Sequence, residues 1–212
     1  METTHVWLIV GLGNPGLKYS LNRHNIGFLA LDAYCASIGN PPWKEDHDAI
    51  VTRFKIEGPG GGDLVEVIFA KPYTYMNKSG EPTRALMDYY KIPIENVIVV
   101  HDEIDQGFGA IKIHKNRGPG GHNGVKNLNE QLGTQDYTRL KLGVGRPADP
   151  RMDVAAYVLQ NFSKDEQTHI HEFLALAGDA IEALIFDGYG KAASKYTRGA
   201  IGGTTEGGSE KA

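Results

Sequence analysis

The chain has 212 residues, a formal net charge of −4 and a sequence pI of about 6.1, a size that fits one domain with a single buried core. Its 41% hydrophobic and 23% charged residues exclude wholesale disorder, and its mild acidity argues against a protein that coats nucleic acid indiscriminately. No apolar run approaches the ~20 residues of a membrane span, no secretory signal pattern is present, and the single cysteine can form no internal disulfide, so we expect a cytoplasmic protein.

The first half of the chain alternates strand-like and helix-like segments. Residues 5–13 form a continuous apolar run that ends in glycine, as expected of a buried strand. Residues 25–39 place apolar side chains at intervals of three and four and end in glycine, which predicts an amphipathic helix. Segments 49–58 and 63–72 are strand-like and flank the glycine-rich residues 58–62, so we expect two strands joined by a mobile hairpin loop.

The second half continues this alternation. Residues 96–103 are β-branched and apolar and then abruptly charged, which is typical of a central strand whose C-terminal end opens into a site. A serine-capped helix is predicted from residue 163 to about 186. The remaining predicted elements are helices at 82–91 and 121–132 and strands at 109–115 and 139–145.

The order of these elements predicts the fold class. Alternating strands and helices indicate an α/β, single-domain globule in which a mixed β-sheet is flanked by helices on both faces. We expect this domain to span residues 1–196. Residues 197–212 are polar and glycine-rich, which predicts a disordered tail.

A glycine-rich turn follows the first predicted strand. Residues 11–16 spell G-x-G-x-x-G, which marks a dinucleotide site when a helix begins at once and an acidic residue follows about 20 residues later. Here residues 17–25 carry polar residues and turn formers, and the nearest acid, Asp32, lies inside the predicted helix. The pattern therefore favours a turn that presents Asn14 at the edge of the strand over a nicotinamide site.

His24 is predicted to lie at the N-terminus of the helix that begins at residue 25. The positive end of a helix dipole would lower the pKa of this imidazole and favour the neutral form that a general base requires. Asp102, at the end of the strand 96–103, could accept a hydrogen bond from one ring nitrogen and leave the other facing a water molecule. A capping or surface histidine, and an ordinary strand-to-loop acid, remain alternatives at this point.

Asparagines form a third group of candidates, because they fall at strand ends or helix starts, where open α/β sheets place their sites. An amide offers a donor and an acceptor without charge, which suits the binding of a peptide backbone or of a developing oxyanion. Turn formation is the alternative for each of them. The group consists of Asn14, Asn25, Asn77 and Asn123.

Basic residues concentrate in two acid-free stretches, 106–129 and 137–148, and the first also contains His114 and His122. Such stretches are consistent either with solvated faces or with a surface that binds nucleic-acid phosphates. The cations are Lys112, Lys115, Arg117, Lys126, Arg139, Lys141 and Arg146.

Five blocks of sequence carry these candidates. They are VGLGNPGLKYSLNRHNIGF, KPYTYMNKSG, VIVVHDEIDQGFGAIKI, GPGGHNGVKN and RLKLGVGRP. In this order, over residues 6–190, they strongly resemble the bacterial-type peptidyl-tRNA hydrolases. Each block alone is a weak signal, and their agreement makes the resemblance specific.

The resemblance implies a monomeric enzyme with a twisted mixed sheet that uses no metal or cofactor. Its reaction would be hydrolysis of the ester between a peptide and the 3′-terminal ribose of tRNA, which recycles tRNA from aborted translation. His24 matches the catalytic histidine, Asp102 its partner, and Asn14 and Asn77 amides that position substrate and stabilise the oxyanion. Residues implied to contact the acceptor stem, 3′ end or peptide of peptidyl-tRNA are Tyr19, Asn25, Met76, His122, Asn123, His114, Lys112 and Lys141.

One position departs from the family pattern. His114 stands where a lysine is common in the region expected to contact the 5′ phosphate of tRNA. Lys141 is the best match for the second phosphate contact. If His114 holds the phosphate, substrate affinity should depend on pH, because an imidazolium loses its charge near neutrality.

Three other functions stay open. A nicotinamide oxidoreductase would use the glycine turn, and a non-catalytic relative would bind tRNA without turnover. A metallohydrolase would need a cluster of ligands, although none of the candidates shows a short ligand spacing on a helix. Its candidate ligands are His24, His101, Asp102 and His122.

Overall fold

The computed structural model describes residues 6–197. Its strands are β1 (Val6–Gly11), β2 (Lys44–Asp46), β3 (Ala49–Glu57), β4 (Leu64–Pro72), β5 (Val97–Glu103), β6 (Ile111–Lys115) and β7 (Thr138–Gly143). They form one seven-stranded sheet in the order β2-β3-β4-β1-β5-β7-β6. The central strands β4, β1, β5 and β7 are parallel to one another. The outer strands β3, β2 and β6 are antiparallel to their neighbours.

The helices are α1 (Ile26–Ser37), α2 (Gly80–Tyr90), α3 (Asn123–Leu132), α4 (Val154–Val158), α5 (Lys164–Phe186) and α6 (Gly188–Tyr196). Short 3-10 turns occupy Leu17–Tyr19, Arg23–Asn25, Met76–Lys78 and Ile94–Asn96. Ser163 and Glu166 form a capping box at the start of α5. Within residues 6–197, no helix combines the length and the apolar character that a membrane crossing requires.

Two layers of helices cover the sheet because its central strands are apolar on both sides. On β1, Ile9 joins a core cluster with residues of α1 and α5, whereas Leu8 and Val10 join the cluster on the opposite face, with residues of α2 and α3. All three side chains are fully buried. Such strands are typical of parallel sheets with both faces covered. The structure thus confirms the predicted α/β class with helices on both faces of a mixed sheet.

The first turn of α1 packs directly against the backbone of the sheet. A Cβ atom at Gly27 would lie 2.4 Å from both Leu12 N and Val100 O, so only glycine fits there. The Leu12 amide donates a hydrogen bond to Val100 O at 2.9 Å and so extends the pairing of β1 with β5 by one residue beyond Gly11. This contact places the start of α1, and the 3-10 turn before it, beside the carboxyl ends of both strands.

Some elements differ from the predictions. The first strand ends at Gly11 and not at residue 13, and α2 begins at Gly80, two residues before Pro82. The pattern gives no prediction for β2, α4 or α6, because β2 and α4 are very short and α6 is interrupted by glycine. Of the predicted tail 197–212, all but Thr197 lies outside the described residues, so the tail and the domain boundary at 196 stay predictions.

Candidate active site

A cavity of about 610 Å³ opens beside the ends of β1 and β5, where open α/β sheets bind their ligands. Within its lining we distinguish two groups of residues, which we name the floor and the wall. The floor is polar and consists of Asn14, His24, Asn77, Asp102, His122 and Asn123. The wall is apolar and consists of Val154, Ala155, Val158 and Leu159, that is, α4 and the residue after it.

His24 and Asp102 are in direct contact in the floor, as predicted. His24 Nδ1 lies 3.0 Å from Asp102 Oδ1 and 2.9 Å from Asp102 Oδ2. Because an ionised carboxylate only accepts hydrogen bonds, Nδ1 carries the proton and donates it, which leaves a lone pair on Nε2. Within residues 6–197, His24 Nε2 makes no hydrogen bond, and the side chain lines the cavity. The geometry therefore provides an oriented acceptor for a proton from water.

His122 is a second donor to the same carboxylate. Its Nε2 lies 2.8 Å from Asp102 Oδ1, and its Nδ1 accepts a hydrogen bond from Val125 N at 3.3 Å at the start of α3. These two contacts select the neutral tautomer with the proton on Nε2. The predicted pair of His24 and Asp102 is thus part of a His-Asp-His cluster that joins the Arg23–Asn25 turn, β5 and α3.

The charge of Asp102 controls the protonation of His24. Burial lowers the pKa of His24, but the negative charge of Asp102 and its hydrogen bond outweigh burial and raise the pKa above 6.5. The prediction that the helix terminus lowers this pKa is therefore wrong, because the adjacent carboxylate dominates. Burial raises the pKa of Asp102, but His24 and His122 outweigh it and hold that pKa well below its usual range. Asp102 is consequently ionised at neutral pH.

Asn14 is held from two sides, and these contacts define the orientation of its amide. The backbone N–H of Met76 donates to Asn14 Oδ1 at 2.8 Å. Asn25 brackets the Asn14 backbone: Asn14 N donates to Asn25 Oδ1 and Asn25 Nδ2 donates to Asn14 O, each at 2.9 Å. Since Oδ1 is occupied by a donor, the remaining group on Asn14 is the Nδ2 amide. Within residues 6–197 this donor makes no hydrogen bond, and Asn14 lines the cavity.

The structure separates the other predicted contact residues into two sets. Met76, Asn77, Asn123, His122 and Lys141 line the cavity. Asn25 is only 2% exposed and lies behind Asn14, so its position is that of a support for the floor. Tyr19, Lys112 and His114 lie outside the cavity lining among the described residues.

The basic residues of β6 and β7 share one face at the edge of the sheet. Lys112 is paired in register with Lys141, and His114 with Arg139, so these side chains are neighbours across the two strands. Lys141 forms an ion pair with Glu103, which also lines the cavity. Burial, followed by the charges of Lys141 and Lys112, lowers the pKa of His114 below 6.5.

His101 lines the cavity as well, a position that the sequence indicated only as a possible metal ligand. Its Nδ1 donates to the backbone O of Asp102 at 2.7 Å, and its ring centroid lies 4.7 Å from that of His122. Burial and the neighbouring His122 hold the pKa of His101 well below 6.5. His101 is therefore a neutral side chain that packs under His122.

The donor set of the His-Asp-His cluster does not suit a bound metal ion. His24, Asp102 and His122 offer ligand atoms that all lie within 4.8 Å of one another. However, a metal on His122 Nε2 would require the proton to move to Nδ1, where Val125 N–H already donates. Metal binding would thus remove the cap of α3. The geometry favours a hydrogen-bonded cluster over a metal centre.

The glycine turn also lacks the geometry of a dinucleotide site. After Gly16 the chain forms the 3-10 turn Leu17–Tyr19, and α1 begins only at Ile26. A pyrophosphate would need a helix N-terminus immediately after the glycines. The structure gives the nicotinamide alternative no support.

The wall has no counterpart among the predicted site residues. Helix α4 has five residues and follows Asp153, whose side chain caps it by accepting from Ala155 N at 3.4 Å. An aspartate followed by a short apolar run is a local signal for such a helix, but the run is too short to show helical periodicity.

Comparison with known proteins gives a consistent result. The family model described as Peptidyl-tRNA hydrolase matches residues 8–203. The peptidyl-tRNA hydrolase of Bdellovibrio bacteriovorus is 53% identical over 191 residues, which cover 90% of this chain and 99% of that protein. The one from Streptomyces coelicolor is 41% identical and covers 90% of this chain and 94% of its own length. The crystal structure of peptidyl-tRNA hydrolase from Acinetobacter baumannii has a TM-score of 0.80 at 29% identity, covering 94% of this chain and 98% of that one.

Proposed function

Because this chain belongs to the peptidyl-tRNA hydrolase family and hydrolyses the ester bond of peptidyl-tRNA, we propose that His24 is the general base of that reaction. The observation that carries this proposal is the orientation of the His24 ring. Its Nδ1 is engaged by the Asp102 carboxylate at 2.9 Å, and its Nε2 is left for a water molecule at a polar cavity.

The reaction proceeds through attack by water. His24 Nε2 takes a proton from a water molecule while the water oxygen bonds to the ester carbonyl carbon, giving a tetrahedral oxyanion. The imidazolium that forms is stabilised by the ionised Asp102 beside Nδ1. When the C–O bond to the ribose breaks, His24 returns the proton to the ribose oxygen. The products are a free peptide carboxyl group and a tRNA with an unesterified 3′ end.

Asn14 is the proposed donor to the oxyanion. Its Nδ2 group is a neutral amide donor at the floor, and the contacts of Asn14 with Met76 and Asn25 hold it in place before substrate arrives. Preorganised donors of this kind stabilise charge that develops only in the transition state. Asn77 and Asn123 line the same floor and offer further amide groups beside the ester.

The basic edge formed by β6 and β7 is the proposed contact for the acceptor stem. Lys112, His114 and Lys141 share a face there, and Lys141 also reaches the cavity. Cations along a strand edge bind the phosphate backbone through charge and without reading sequence.

We further propose that the enzyme acts as a cytoplasmic monomer without a metal.

The test is release of an N-acetylated amino acid from its tRNA by wild type, His24→Ala and the control His169→Ala, which removes an exposed histidine of α5. Because a general base contributes roughly 10²–10⁴-fold, His24→Ala should lose that factor in kcat while it still binds tRNA. The control should match wild type. Hydrolysis by His24→Ala within about threefold of the wild-type rate would reject the role of His24.

A further inference from the structure

A buried arginine lies next to His24 and contacts the segment that follows the wall. The side chain of Arg23 is 7% exposed. Its two terminal nitrogens donate to the backbone O of Asn161 at 2.7 Å and to Glu166 Oε2 at 2.6 Å. Charge-assisted hydrogen bonds to two different acceptors fix the plane of a guanidinium.

The same guanidinium packs against aromatic rings of α4 and of the segment that follows it. Its carbon atom lies 4.4 Å from the ring centroid of Tyr157, in α4, and 5.6 Å from that of Phe162. A guanidinium over an aromatic face gains both packing and electrostatic attraction. Arg23 therefore holds α4 directly, through one of its own side chains, as well as the residues after it.

The backbone next to Arg23 completes this junction. Arg23 N donates to the backbone O of Gln160 at 3.0 Å, and Asn22 Nδ2 donates to Asn161 Oδ1 at 2.9 Å. Asn22 and Asn161 form an isolated antiparallel bridge. Among residues 6–197, these contacts join the wall and the residues after it to the turn Arg23–Asn25, which we name the catalytic turn, and Arg23 contributes its guanidinium to this junction.

His24 has a separate attachment. Its ring is held by Asp102 on β5, through contacts that do not involve Arg23. Loss of the Arg23 guanidinium should therefore loosen the wall, which then keeps only the remaining bonds of this junction and the bond from Tyr157 to Val144 O, and should leave the histidine in place. This predicts a change in substrate binding and not in the chemical step.

We propose that Arg23 is a positioning residue that holds the wall of the cavity against the catalytic turn and thereby sets the affinity for peptidyl-tRNA. The proposal rests on the proposed function of the cavity. It adds that two neighbouring residues in the sequence have different roles. Arg23 positions the wall, and His24 takes part in the reaction.

The test compares steady-state kinetics of wild type, Arg23→Lys and Glu166→Gln, with Arg84→Lys as the control. Lysine keeps the charge of Arg23 but cannot make two forked hydrogen bonds and stack at once. Glutamine at 166 can still serve the capping box but removes the negative charge from the guanidinium. The control changes an exposed arginine that pairs with Asp88 on α2.

Arg23→Lys should raise KM by about tenfold or more, which is the loss expected for a charge-assisted hydrogen bond. Its kcat should stay within about twofold of wild type, and the pH midpoint of kcat should not move. Glu166→Gln should raise KM in the same direction by a smaller factor, and Arg84→Lys should change neither constant. A fall in kcat at unchanged KM, or unchanged kinetics in both variants, would overturn the proposal.

Hydrogen exchange separates this proposal from the proposed function. In Arg23→Lys, backbone amides of residues 154–162 should exchange faster, while those of β5 keep wild-type protection. Amide exchange does not depend on turnover. It therefore tests the role of Arg23 even if wild type does not cleave the ester. If Arg23→Lys does not fold, the KM and exchange of Glu166→Gln decide, and wild-type values there would reject the role of Arg23.

Discussion

The floor and the wall of the cavity are built in different ways. In the floor, Asp102 receives hydrogen bonds from two histidines, and Asn14 is bracketed by Asn25 and Met76. Each reacting group is thus held by several partners from different elements. The wall consists of the five-residue helix α4 and the residue after it, and Tyr157 of this helix contacts the guanidinium of Arg23 and donates to the backbone O of Val144 at 2.9 Å. The difference suggests that the groups for the reaction are preorganised, whereas the surface that grips the substrate depends on few contacts.

The largest expected effect comes from breaking the centre of the floor. Asp102→Asn replaces an acceptor-only carboxylate by an amide that can donate to either histidine, so His24 loses the partner that orients it. We expect kcat to fall by roughly 10²–10⁴-fold with little change in KM. Steady-state kinetics with an N-acetylated aminoacyl-tRNA measure both constants. A KM effect that exceeds the kcat effect would show that the floor and the wall are not separable.

The pH profile sharpens the same contrast. Asp102 raises the pKa of His24 above 6.5, and the base must be neutral, so kcat should rise with pH through a midpoint above 6.5. The contribution of the His24–Asp102 ion pair to stability changes in the opposite direction. It is complete below pH 6.5 and is lost as the pH rises through the raised pKa of His24. Activity and the free energy of unfolding should therefore change in opposite directions across this range, as measured by kinetics and by urea unfolding. A midpoint below 6.5 would contradict the role assigned to Asp102.

A medium effect is expected from a matched pair of asparagines, Asn25, which supports the floor, and Asn161, which lies just after the wall. Asn25→Ala leaves the backbone N and O of the buried Asn14 unpaired, which costs about 1–3 kcal/mol per group, and should lower kcat by about tenfold through displacement of Asn14. Asn161→Ala removes the side-chain bond to Asn22 at the wall and should raise KM by a few-fold instead. The two variants test whether floor and wall report on different kinetic constants. If both variants changed the same kinetic constant, the proposed difference between the floor and the wall would be rejected.

The smallest expected effect concerns the basic edge, which lies outside both regions. Because burial and neighbouring lysines lower the pKa of His114, its charge should contribute to tRNA affinity only at mildly acidic pH. His114→Lys should make the affinity independent of pH and steepen its salt dependence by about one phosphate contact. Binding to a tRNA with a 5′ phosphate, measured at several pH values, checks this. Flat wild-type affinity across mildly acidic and mildly basic pH would exclude His114 from the contact.

Sequence alone predicted the parts of the site that lie at the ends of recognisable elements. A helix start and a strand end made His24 and Asp102 candidates, the resemblance assigned their roles, and their contact in the structure agrees with the expected hydrogen bond. The second donor, His122, is not predictable as a partner of Asp102, because nothing in the local pattern links the two residues. Asn25 shows a further limit, since an amide that supports a loop has the same local sequence as one that binds a ligand.

Charge and tertiary contact account for the remaining differences. The pKa of His24 was expected to follow the helix terminus, but the distance to Asp102 decides it, and that distance exists only in the fold. Helix α4 is too short to show periodicity, and its place in the cavity depends on the contact between its own Tyr157 ring and Arg23, a residue distant in sequence.

The absence of a side chain at Gly27 has a consequence for how this enzyme fails. One added methyl group would push the beginning of α1 away from Leu12 and Val100, and the imidazole three residues earlier would move with it. Inactivation by heat should therefore not require global melting. A small displacement of α1 from β1 and β5 would already move His24 and reduce activity. Loss of activity on heating should therefore report on the packing between this helix and these strands.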